Sequence, residues 1–71
     1  GDFKLALQKL RNAYALNSNN PSTAYHIGYT LHKLGRVDEA KIELEKALTI
    51  SEDFPDKQAT ESLLKTINEP T

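Results

Sequence analysis

Apolar residues recur along this chain every three or four positions and are interrupted three times, a pattern that predicts four helices. Phe3, Ala6, Leu10, Ala13 and Leu16 fall on one face of a first helix running from about Asp2 to Asn17, ended by the polar cluster Asn17 to Asn20. Pro21 starts the second helix in its first turn, where a missing N–H is not needed, and Asn20 is a natural N-cap. This helix carries Ala24, Ile27, Gly28 and Leu31 on one face, and Gly35 stops it with the residue that best accepts a left-handed backbone. In the third helix Asp38 and Glu39 occupy the first turn, where the helix dipole favours acids, and Val37, Ala40, Leu44, Ala47, Leu48 and Ile50 form the expected buried stripe. A break from Ser51 to Phe54 leads to Pro55, read as the opening of a fourth helix that reaches about Asn68, with Ala59, Leu63, Leu64 and Ile67 apolar and Pro70 as its stop. Lys41 with Glu45, Glu43 with Lys46 and Glu61 with Lys65 have the spacing of surface ion pairs.

Shifting the chain on itself by 34 residues exposes an internal repeat. Gly1 falls on Gly35, Ala6 on Ala40, Leu10 on Leu44, Ala13 on Ala47 and Pro21 on Pro55, while Phe3 meets Val37 and Leu16 meets Ile50. The repeated positions are small or apolar, as stacking units require. Gly28 and Ala40 are expected where two helices cross, because only a side chain of one carbon or none lets backbones approach at the short end of the roughly 8–10 Å range.

Residues 21–54 resemble one full tetratricopeptide repeat: Ala24, Ile27, Gly28, Leu31, Gly35, Val37, Ala40, Leu44 and Ala47 stand at its characteristic positions. Ala24 replaces the usual bulky aromatic, and Glu52 replaces the usual proline, which has moved to Pro55. Residues 1–20 resemble the second helix of a preceding repeat. The resemblance implies an all-α fold of four helices, in antiparallel pairs of a right-handed superhelix. With a two-residue insertion, Ile27 aligns to Leu63, Leu31 to Ile67 and Gly28 to Leu64, so the fourth helix lacks the small residue that would admit another. Residues 55–69 are therefore expected to form a C-terminal capping helix whose polar face carries Lys57, Gln58, Glu61 and Lys65. With no starting methionine the chain is expected to be a cut piece, and the capping helix is expected to make it the C-terminal end of a longer array.

A chain of 71 residues without cysteine has neither disulfides nor thiolate metal sites to support its small core. No apolar run approaches the roughly 20 residues of a membrane helix, so a soluble protein of cytoplasm or periplasm is expected, without membrane insertion. A net charge of -1 provides no basic field for nucleic acid. The balance conceals an asymmetry: residues 1–36 carry five Lys/Arg against one acid, and residues 37–71 four against nine.

Chemistry is sparse along the chain. Gly1, Gly28 and Gly35 are isolated and make no phosphate loop. His26 and His32 are six residues apart, about 240° around a helix, which does not suit two ligands of one metal. Asp38, Glu39, Glu43 and Glu45 belong to a solvated face rather than to a site that separates two carboxyl pKa values. Neither cofactor, metal nor enzymatic activity is expected. Tyr25, Tyr29 and His32 follow i, i+4, i+7 beside the packing face of the second helix, with Ser22 and Lys33 close by. In the family resembled, that side of each repeat's first helix lines a concave groove that grips a peptide. These five residues are thus a candidate ligand strip for a protein partner, although Tyr25 and Tyr29 could equally serve packing alone. The family's lysine and asparagine clamp for chaperone C-termini finds Tyr25, His26 and Tyr29 where it needs those residues. Homo-oligomerisation through the first helix is a second expectation, since Phe3, Leu7, Leu10 and Tyr14 read as poorly covered.

Overall fold

The computed structural model describes residues 2–69; the loop glycine at Gly1 and the helix stop at Pro70 lie outside them. The described residues form four α-helices and no strand: α1 (Phe3–Leu16), α2 (Pro21–Lys33), α3 (Val37–Ile50) and α4 (Lys57–Asn68). Each packs on its neighbour in chain order, and α2 against α3 is the most extensive contact. Short turns make neighbours antiparallel. The Cα atoms occupy a slab of 36 × 29 × 17 Å. No helix is long and apolar enough, among the described residues, to cross a membrane.

Local chemistry fixes the helix ends. The Asp2 side chain accepts from the Leu5 N–H at 3.0 Å and caps α1, and Asn20 accepts from the N–H groups of Ser22 and Thr23 to cap α2 with Pro21 at its start. At the other end of α2, Gly35 adopts φ +80, the Arg36 N–H donates to the Leu31 carbonyl at 2.9 Å and the Gly35 N–H to that of His32 at 3.0 Å. This paired closure of a helix C-terminus needs a left-handed residue, and glycine takes that conformation without strain. Arg36 then starts the next helix, its guanidinium donating to both carboxylate oxygens of Glu39 at 2.6 and 2.8 Å.

The core sits where α2 and α3 cross. Ala24, Leu31, Ala40, Leu44 and Ala47 are fully buried and Ile27 nearly so. A Cβ added to Gly28 would stand 2.7 Å from the Leu44 Cγ, 2.8 Å from its Cδ2 and 3.2 Å from the Ala40 carbonyl oxygen, so the leucine occupies the space a larger residue would need. The small residues at 28 and 40 thus set the approach of the two helices, as the repeat pattern requires.

The 34-residue period is present in the fold: Val37 stands 34 residues after Phe3 and Ile50 the same distance after Leu16, so α1 and α3 share both boundaries. The expectation for α4 is corrected. It begins at Lys57, 36 residues after Pro21, and Pro55 lies in the preceding turn. Pro21 and Pro55 therefore coincide in sequence shift but not in structural role. Phe54, read only as part of a break, is buried against Ala24 and Ala47 and fastens that turn to the core.

Three readings of surface and core also change. Val37, expected in the buried stripe, is 40% exposed at the first turn of α3. On α1, Leu7 is buried and Leu10 and Tyr14 pack against the core cluster of Ile27, Leu31 and Ala40, so these are covered; it is Phe3, Leu5 and Leu16 that face outward. Of the three expected ion pairs, only Glu43 with Lys46 is made, at 3.5 Å. Lys41–Glu45 and Glu61–Lys65 do not close, and the expectation missed Arg36–Glu39.

Candidate functional site

Two helices that do not follow one another in the chain, α2 and α4, form the walls of a shallow groove of about 330 Å³. Tyr25 and Tyr29 line one wall, and Ala59, Ser62, Leu63 and Thr66 the other. The tyrosines project here because Ala24, Ile27, Gly28 and Leu31 commit the adjacent face of α2 to α3, leaving positions 25 and 29 one turn apart on the open side. Opposite them, Thr60 and Leu64 turn α4 inward, with the Thr60 hydroxyl donating to the Asp56 carbonyl at 2.7 Å, and the groove side of α4 carries the small Ala59, Ser62 and Thr66 beside Leu63. A small wall facing an aromatic wall leaves room between them.

The tyrosine rings lie 6.3 Å apart at 41°, and the Lys33 ammonium sits 5.3 Å from the Tyr29 ring centroid. Lys33 is thus drawn over the aromatic face and brings a positive charge beside the groove. Tyr25 also stacks at a tilt on His26, whose Nε2 is 3.8 Å from Asp56 Oδ2. Partial burial, then the Asp56 carboxylate and Tyr29, push the Tyr25 phenol above the usual tyrosine value, so it is a neutral donor at physiological pH.

Of the five residues read from sequence, the structure brings Tyr25 and Tyr29 into the groove and Lys33 to the edge of Tyr29. Ser22 and His32 are half-buried and do not line it; the Ser22 N–H is used by the Asn20 cap. The α4 wall was missed. Ala59, Ser62 and Thr66 offer no aromatic or charged signal, and only their i, i+3, i+7 spacing could have marked them. Among the described residues, no group of three or more His, Asp or Glu side chains is placed to hold a metal.

A family model described as tetratricopeptide repeat matches residues 1–64. The chain belongs to the tetratricopeptide repeat family. Tetratricopeptide repeats generally mediate protein–protein interaction and form a non-catalytic scaffold family. Comparison with curated proteins and with solved structures returns no match. Ala24, Ile27, Gly28, Leu31, Ala40, Leu44 and Ala47 are all buried between α2 and α3, and Gly35 makes the turn between these helices.

Proposed function

We propose that this chain is a protein-interaction module that takes a peptide segment of a partner protein in the groove between α2 and α4. The supporting observation is the pair Tyr25 and Tyr29 facing Ala59, Ser62, Leu63 and Thr66 across about 330 Å³ of open space. Tyrosine supplies large contact area with a polar tip and loses few rotatable bonds, which suits a recognition surface. Lys33 at the edge favours a segment with an acid near its end, while Ser22 and His32 lie outside the groove lining. Within this reading residues 1–20 are the second helix of a preceding repeat, residues 21–54 a full repeat and residues 55–69 a capping helix. The cap is supported by Leu64, which takes the place of Gly28 and offers no small residue for another helix to approach.

The test is selection from a displayed random-peptide library followed by affinity measurement on the purified chain. Peptides selected by the wild type should lose binding at least about tenfold, or 1.4 kcal/mol, in the Tyr25→Ala/Tyr29→Ala variant with helicity retained. Undiminished binding by that variant would remove the groove from consideration.

A further inference from the structure

A second concavity, of about 460 Å³, lies between α1 and the turn joining α2 to α3, and it shares no lining residue with the tyrosine groove. Lys4, Leu7, Gln8 and Arg11 enter it from successive turns of α1, and Leu34 and Arg36 from the turn. Three cations and the neutral Gln8 and Asn12 surround two leucines, with no acid in the lining itself, although Glu39 just outside it pairs with Arg36. Glu39 engages two of the five guanidinium N–H groups of Arg36, leaving the others available. Lys4 and Arg11 have no ion-pair partner among the described residues.

These cations are not required by the repeat. Moving 34 residues along, Ala6, Leu10 and Ala13 become Ala40, Leu44 and Ala47, the positions that pack on α2, whereas Lys4, Leu7, Gln8 and Arg11 become Asp38, Lys41, Ile42 and Glu45. Packing positions recur and the notch chemistry does not. The two sets are also directed apart: at about 100° per residue, Lys4, Leu7, Gln8 and Arg11 point roughly 140° away from Ala6, Leu10 and Ala13. A helix packed on α1 in the way α2 packs on α3 would leave the notch open.

We infer that this notch is a second docking site, for an acidic segment of a partner protein that seats one large apolar side chain on Leu7 and Leu34 and sets carboxylates against Lys4, Arg11 and Arg36. Charge complementarity selects the occupant: a leucine floor rewards an apolar anchor, and a rim that stays net positive, with Lys4 and Arg11 beside the Arg36–Glu39 pair, penalises a basic segment. The module would then hold two segments at once, one in each concavity, through independent residues.

The test uses a fluorescein-labelled peptide in which a single leucine is flanked by glutamates, with a lysine-for-glutamate peptide and inorganic phosphate as comparison probes. Fluorescence anisotropy should show binding of the acidic peptide that weakens as salt is raised. Lys4→Glu/Arg11→Glu should reduce it at least about tenfold and Lys4→Gln/Arg11→Gln less, because both residues are exposed and the fold is retained, which circular dichroism checks. Tyr25→Ala/Tyr29→Ala should leave it unchanged, which separates failure of this site from failure of the groove. The proposal is overturned by absence of binding, by equal affinity for the lysine peptide, or by displacement with phosphate alone. It is equally overturned if sedimentation shows the chain's own acidic half filling the notch, as self-association lost in Lys4→Glu/Arg11→Glu.

Discussion

The two helix contacts made by α3 solve one problem in opposite ways. Against α2 it nests through absence: Gly28 and Ala40 contribute almost nothing, and Leu44 fills what they vacate. Against the other end of the chain, α4 brings bulk, with Leu64 standing where the repeat alignment expects glycine, Thr60 fully buried and Phe54 closing the turn. The first contact is selective, because a side chain of any size at its crossing is a collision. The second is permissive of shape but depends on volume, because an aliphatic group removed there leaves a void.

The contrast predicts that opposite changes of volume destabilise the two contacts. Leu64→Ala should destabilise by about 2–3 kcal/mol, near the low end for a buried leucine because a terminal helix can settle inward. Ala40→Leu, which enlarges rather than empties, should cost about 1–3 kcal/mol through overpacking beside Gly28. Chemical denaturation measures both; an Ala40→Leu variant as stable as wild type would dissolve the distinction between the two contacts. Gly35→Ala should cost about 1 kcal/mol, all of it backbone strain, since a Cβ at Gly35 meets nothing within 4 Å while φ is +80. The smallest effect is a pH dependence at Tyr25. Its phenol is raised in the fold relative to the unfolded chain, so the folded state holds this proton more tightly. That contribution is fully present below pH 10 and is lost as pH rises through the folded value, and should disappear in Tyr25→Phe.

How far the residues announced these features depended on how local the cause was. The α1/α3 register, the Asn20 cap and the Gly35 turn each follow from a few neighbouring residues, and all were legible. The start of α4 was misplaced, because Pro55 repeats the sequence context of Pro21, although the two-residue insertion that aligns Ile27 with Leu63 already carries the 36-residue offset observed. Phe54 was invisible for a related reason: its burial comes from Ala24 and Ala47, which are distant in the chain. The tyrosine wall of the groove could be read because large aromatics on an otherwise committed helix stand out. Its opposite wall could not, since Ala59, Ser62 and Thr66 matter through smallness. Ion pairs were the least legible: Lys41–Glu45 and Glu61–Lys65 have suitable spacing yet stay open, as exposed pairs contribute too little to hold two long side chains in place.

The thinness of the slab governs how this chain opens. At 17 Å between outermost Cα atoms in its shortest dimension it is only about two rods deep, each about 5 Å across at its Cα atoms, and no rod is enclosed on all sides. Loosening must then start at whichever terminal rod is less well held and advance inward one neighbour at a time. In deuterium exchange the amides of α2 and α3 should be the last to label, while α1 and α4 take up label independently of each other.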